Sequence, residues 1–291
     1  MRIVVLLLLA GLCGCAPQPA DDDRVRVLAA AYPFAWAAGQ VGGSDVRVDD
    51  LVQPGAEQHD VELSPRQVRA FEQAALVVYL RGFQVAVDDA IPAADEAARL
   101  DLTSAVSVRP FSSDLTGDRE SGTDPHVWLD PVRMSAIVQS IAKALSRRDP
   151  DHATSYNKRA AAVLAELDDL DAELRAALRS CRQRRIVTAH NAFGYLAERY
   201  DLKQVGVAGI SPESDPSPGR LAQVARYARE HDVRTIFFGS DVDPKLADTV
   251  AREIGARTAI LNPVEGVEPG DDYLSVMRRN ARELRTGLGC V

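Results

Sequence analysis

The sequence predicts an α/β fold: two α/β lobes with parallel sheets, joined by one long rigid interlobe helix. Three observations predict it. Short apolar runs alternate with helical stretches in the first half of the chain, the pattern of parallel strands covered by helices. One uninterrupted amphipathic stripe follows near the middle. The strand–helix alternation then restarts and continues to the C-terminus.

Taken in order, Val25 to Ala30 reads as a short buried strand, Asp45 to Val52 as an alternating one, and Ala75 to Leu80 as a third. Ser64-Pro65 opens a helix with an N-cap and a proline at the first helical position. Pro131 opens another that runs through Leu145. From Ser155 to Arg179, apolar residues fall at Tyr156, Ala160, Val163, Leu167, Leu170, Leu174 and Leu178. Those spacings of three and four place them on one helix face. No Gly or Pro interrupts the run, so the helix should be stiff. Beyond it, strands are expected at Arg185–Thr188, Lys203–Ile210, Val233–Phe238 and Arg257–Leu261. Helices are expected up to Tyr200 and over Pro218–His231, Asp243–Ile254 and Asp272–Leu288. The organisation is therefore a leader over 1–14, a tether over 15–24, an N-terminal lobe over 25–150, a linker helix over 151–180 and a C-terminal lobe over 181–291. Ligands in such folds bind beyond the carboxyl ends of the strands, in the cleft between lobes.

Composition narrows the function. The chain has 291 residues, 46% of them hydrophobic, enough to build a real core and exclude global disorder. A net charge of −8 argues against a nucleic-acid partner, which would require a basic face. Arg2 precedes an apolar run from Ile3 to Leu12 that is too short to span a bilayer, which takes about 20 residues. A charged start, a short apolar core and small residues make a secretory signal. It ends Leu12-Cys13-Gly14-Cys15, which resembles the bacterial lipoprotein signal, so Cys15 is the expected lipidation site and residues 16–23 a flexible acidic tether. Cys181 and Cys290 remain. Two leftover cysteines in an exported chain most often pair. The alternative, thiolate metal ligands, lacks a C-x-x-C pair or an adjacent His.

Five histidines carry the chemical interest. His59, His126 and His190 lie in loops or just after expected strands, whereas His152 and His231 sit at helix ends and are expected to face solvent. Neutral imidazole is the commonest metal ligand and suits Zn²⁺, Cu²⁺ or Ni²⁺. No H-E-x-x-H, G-x-S-x-G or P-loop is present. Spacing alone marks a candidate metal site and leaves the metal open.

Asp124-Pro125-His126-Val127-Trp128-Leu129-Asp130-Pro131 and His190-Asn191-Ala192-Phe193-Gly194-Tyr195 are specific motifs. With the stretches Gly55–Pro65, Thr188–Tyr200, Gly209–Pro218, Ile236–Gly255 and Asp272–Leu284, they make the chain resemble the metal-binding, ZnuA/TroA-like solute-binding lipoproteins of bacterial zinc and manganese ABC importers. The resemblance covers nearly all of the mature chain. It implies a metal between two lobes, with one imidazole nitrogen each from His59, His126 and His190. Family members commonly place an Asp where this chain has Asn262, and often a Glu where it has Gly239. The fourth position is thus Asn262 through its oxygen, water, or a nearby carboxylate, with Glu57 ahead of Asp241.

The resemblance further implies an extracytoplasmic, lipid-anchored and monomeric protein, not an enzyme, that hands its cargo to an ABC permease. Zn²⁺ is the expected cargo and Mn²⁺ the alternative, because manganese members tend to carry a carboxylate at the position of His190. Ser112 to Thr123 holds no His, so the His-rich collecting loop of many zinc members is absent or reduced. The stiff helix implies release through local movement around His59 or His126, and affinity is expected to fall below about pH 6.5 as imidazoles protonate. A secreted zinc hydrolase with Glu57 as base is the rival reading. A surface adhesin role is compatible with either.

Overall fold

The computed structural model describes residues 23–52, 58–111, 115, 122–208, 217–239, 248 and 251–291. The signal, Cys15, most of the tether, Glu57, Asp241 and most of the helix expected over Asp243–Ile254 lie outside the described residues.

The N-terminal lobe is built on a parallel sheet in the order β2-β1-β3-β4. Its strands are β1 (Val25–Ala29), β2 (Val46–Asp50), β3 (Leu76–Tyr79) and β4 (Arg99–Asp101). Leu76-Val77-Val78-Tyr79 is buried throughout, as a strand covered on both faces must be. The helices of this lobe are α1 (Tyr32–Gly42), α2 (Pro65–Gln73), α3 (Val85–Ala90) and α4 (Pro131–Arg148). Helix α2 starts where the sequence predicts. Ser64 Oγ accepts from Gln67 N while the Gln67 side chain accepts from Ser64 N, a reciprocal box that satisfies two orphan helix donors. A two-stranded antiparallel ribbon, β5 (Arg109–Pro110) with β6 (Thr123–Asp124), leads the chain to His126.

Helix α5 (Ala153–Leu178) has 26 residues, so it is about 39 Å long at 1.5 Å per residue. Its buried positions are the seven that the periodicity singled out, Tyr156 to Leu178. It packs on α1 and α4 of the first lobe and on α8 (Tyr273–Gly287) of the second, which makes it a shared spine.

The C-terminal lobe repeats the architecture with a parallel sheet in the order β10-β9-β7-β8. Its strands are β7 (Arg185–Thr188), β8 (Lys203–Gly206), β9 (Thr235–Phe238) and β10 (Arg257–Ile260), with helices α6 (Gly194–Arg199) and α7 (Pro218–Glu230). Among the described residues, no helix is long and apolar enough to cross a membrane.

Cys181, just after α5, is disulfide-bonded to Cys290, just after α8. The link joins the two ends of the second lobe across 109 residues of sequence. Closing a loop of that size restrains the unfolded chain by about 4–5 kcal/mol. The Cys181→Ser/Cys290→Ser variant is therefore expected to lose stability of that order in urea unfolding. A loss under about 1 kcal/mol would show that the link contributes little through chain entropy.

Candidate metal centre

Each histidine is delivered by the end of a strand or by a turn beside it. His59 lies in a bend after β2. Buried Gln84 reaches across to hold that bend, donating from Nε2 to Gln58 O at 2.7 Å and to Ala30 O at 3.1 Å. The His59 ring stands edge-on to Phe83, 5.2 Å between centroids. His126 follows β6 and is fully buried. Its backbone N–H donates to Asp124 Oδ1 at 3.1 Å, and its Nδ1 lies 2.8 Å from the same oxygen. That contact places the proton on Nδ1 and turns Nε2 towards the cleft, the usual device for orienting an imidazole ligand. His190 follows β7. Its carbonyl accepts from Thr188 Oγ1 at 2.7 Å and from Gln204 Nε2 at 3.1 Å, which anchors the backbone at the sheet end.

The three rings converge on one carboxylate. Glu265 Oε1 lies 3.4 Å from His59 Nε2, 3.1 Å from His126 Nε2 and 3.6 Å from His190 Nε2. One ligand atom from each of the four residues lies within 4.8 Å of every other. Zinc takes four ligands tetrahedrally at about 2.0–2.2 Å, so the edges of such a site are about 3.3–3.6 Å. The distances from Glu265 to His59 and His190 fit those edges, and the 3.1 Å to His126 is slightly shorter. His190 Nε2 is buried and has no hydrogen-bond partner among the described residues, as suits a metal-ligating nitrogen.

Glu265 is the fourth member of this group, and sequence reasoning did not single it out. Asn262 Oδ1 accepts instead from Val264 N at 2.6 Å, closing a tight turn. Glu57 and Asp241, the other carboxylates weighed for the position, lie outside the described residues. The signal for Glu265 was its place in Asn262-Pro263-Val264-Glu265-Gly266, just beyond the last strand. The turn that swings Glu265 inward is unusual: Val264 is fully buried and has φ of +59°. A β-branched residue in that region costs on the order of 1–3 kcal/mol and persists only where its surroundings enforce it.

Several bonds fix the two lobes around the group. Trp128 Nε1 donates to Pro263 O at 2.8 Å, and Tyr273 Oη donates to Trp128 O at 2.6 Å. Tyr195 Oη donates to Asp124 O at 2.8 Å. Gly194 permits that approach, because a Cβ there would fall 2.7 Å from Asp124 Oδ2. His152 and His231 stay apart from the group: the His152 ring is half-exposed and bonded to Asp149, and the His231 ring stacks edge-on to Tyr227.

Electrostatics follow from this packing. Burial works against a charge on His126, but the hydrogen bonds it donates to Asp124 and Glu265 outweigh it and push the ring up to about 9. Burial likewise works against the Glu265 carboxylate, yet its hydrogen bonds to His126 and His59 and the nearby His190 ring hold it well below the usual carboxylate range.

The family described as zinc-uptake complex component A, periplasmic (ZnuA), matches residues 27–287. The high-affinity zinc uptake system protein ZnuA of Bacillus subtilis is 32% identical over 308 residues, 98% of this chain and 96% of that protein. The zinc-binding lipoprotein AdcA of Streptococcus pneumoniae is also 32% identical, over 97% of this chain. The chain spans only 60% of AdcA's length. Among solved structures, the laminin-binding protein Lmb of Streptococcus agalactiae, described as having adhesin and metal-transporting activity, superposes with a TM-score of 0.81 at 32% identity. The match covers 91% of this chain and 99% of Lmb. Zn(II)-bound AdcA of Streptococcus pneumoniae gives 0.79 at 30% identity, covering 91% of this chain and 58% of AdcA.

The buried Asp124–His126 contact generates a direct prediction. In the metal-free protein the His126 ring should titrate near 9 by NMR, and Asp124→Asn should bring it down towards the ordinary 6.5. A wild-type ring already titrating near 6.5 would mean that the Asp124 and Glu265 bonds do not hold in solution.

Proposed function

This chain belongs to the zinc-uptake complex component A family, and we propose that it captures Zn²⁺ outside the cytoplasm and delivers it to an ABC permease. The observation that carries this reading is the convergence of three imidazole Nε2 atoms from both lobes on one Glu265 oxygen. His59, His126, His190 and Glu265 are the proposed ligands. The set is complete within one chain, so binding requires no second copy. Lipid on Cys15 is proposed to keep the protein at the membrane surface, where the permease is met.

The donor set favours zinc over manganese. Three nitrogens and a single carboxylate suit a borderline-soft, tetrahedral ion, whereas Mn²⁺ favours oxygen-rich octahedral sites. The same count argues against the hydrolase reading. A catalytic zinc keeps three protein ligands and an open position for water, while four protein ligands close the sphere. Equilibrium dialysis of Zn²⁺ against competing Mn²⁺ tests the cargo, and a manganese preference would overturn it.

Single substitutions to Ala of His59, His126, His190 or Glu265 should each weaken zinc binding by more than the about 10–100-fold typical of an outer-shell change. If Glu265→Ala bound zinc as tightly as wild type, the fourth-ligand assignment would fall.

The pH dependence follows from His126. Its proton must leave before Nε2 can bind zinc, and in the metal-free protein that proton stays on up to about 9. Affinity should therefore rise about tenfold per pH unit from 6.5 to 9, with one proton released per zinc. This moves the expected window up from the free-imidazole value of about 6.5. Calorimetry in buffers of different ionisation enthalpy counts the protons, and a count of zero at pH 7.5 would contradict the scheme.

A further inference from the structure

We infer that Asn262 and Asn280 are positioning residues for the metal centre: a pair of carboxamides that clamps the loop after β10 and aims Glu265 into the cleft. The inference rests on the proposed ligand role of Glu265 and assigns what sets that ligand's place.

The clamp has two layers. Asn280 projects from α8 and is 2% exposed. Its Oδ1 accepts from Asn262 N at 2.9 Å, and its Nδ2 donates to Asn262 O at 2.7 Å. One buried side chain thus grips both backbone groups of a single loop residue. Asn262 then carries the constraint forward, because its own Oδ1 accepts from Val264 N at 2.6 Å. That bond is the Asx turn which Asn and Asp form with the backbone two residues on. It holds Val264 in the left-handed conformation, where valine does not rest unaided. Glu265 is the next residue, so its direction into the cleft depends on that one φ angle. The Trp128 bond to Pro263 O supports the same loop from the other lobe.

The chemistry of the pair explains why a carboxamide serves at 262. Towards Val264 N, Asn262 supplies the acceptor oxygen. Asn280 needs an acceptor and a donor in one planar group, which an amide supplies and a carboxylate does not. An Asp at 262 would preserve the turn and add a negative charge near Glu265; an Asp at 280 would lose the donor to Asn262 O. Asn262 therefore acts on the metal through Glu265 and not by coordination.

A double-mutant cycle tests this. Zinc affinity is measured by competition with a fluorescent chelator for wild type, Asn262→Ala, Glu265→Ala and the double variant, with thermal unfolding of each metal-free protein. Asn262→Ala is expected to weaken zinc binding about 10-fold or more, within the range for residues that orient a ligand. Asn262→Asp, which keeps the acceptor, should restore most of it. In the Glu265→Ala background, Asn262→Ala should have no further effect on affinity. A tenfold loss that persists in that background would show that Asn262 touches the metal itself or acts only on global stability, and would overturn the proposal. If Glu265→Ala alone left zinc binding unchanged, the ligand reading would fail first, which separates the two failures. Should Asn262→Ala not fold, Asn262→Ser, with a shorter acceptor, is measured through the same cycle and judged by the same criterion.

Discussion

The convergence of three imidazoles on the Glu265 carboxylate is the constraint on which the rest of the structure depends. A carboxylate buried among neutral groups would be driven to protonate. Here it stays ionised because three Nε2 atoms face one of its oxygens, and because His126 can carry the compensating charge. Two of the three rings belong to the first lobe and one to the second, so the group exists only while both lobes keep their relative placement. The features that look structural at first sight, the long helix, the disulfide and the interlobe hydrogen bonds, all bear on that placement.

Helix α5 supplies its coarse part. An apolar stripe that runs its whole length rests on α1, α4 and α8, so neither lobe can slide along it without exposing leucines. The fine part comes from buried polar bonds close to the site. Asp130, fully buried at the head of α4, is bonded by Arg199 from the other lobe through both oxygens, at 2.9 and 2.8 Å. Such a bidentate pair is directional as well as strong. It ties the start of α4, just after the His126 segment, to the end of α6, just after the His190 segment. The two imidazole-bearing loops are thereby cross-braced.

How much of this was legible in the sequence depends on how local its cause was. The stripe of α5 was legible residue by residue, because helical periodicity is a property of consecutive positions. The caps at Ser64 and Asp272 and the prolines at 65 and 131 mark their helices for the same reason. His59, His126 and His190 could be singled out by their places beside strand ends, but nothing in their spacing shows that the rings meet. Strand β4 was missed because Arg99-Leu100-Asp101 is three residues long and only half-buried. Glu265 was missed for a deeper reason. Its direction is set by an Asx turn and a left-handed valine, and that conformation is imposed by Asn280 on another helix and by Trp128 in another lobe. Propensity argues against valine there, so local reading gives the wrong answer wherever tertiary contacts enforce strain.

The proposed capture and delivery requires that the cargo also be let go, and the same four residues bear on that step. Removing a divalent ion from a closed set of three lone pairs and a carboxylate would leave a buried charge without a partner. In the metal-free protein that charge is offset from within. His126 takes up a proton, Asp124 already stands at its Nδ1, and Glu265 accepts at its Nε2. The metal-free centre is then held by the hydrogen bonds that join Asp124, His126 and Glu265. Zinc and the proton compete for one nitrogen, so each stabilises the site in the absence of the other. That exchange lowers the free-energy cost of release without requiring the lobes to part, which the spine and the Asp130–Arg199 brace oppose.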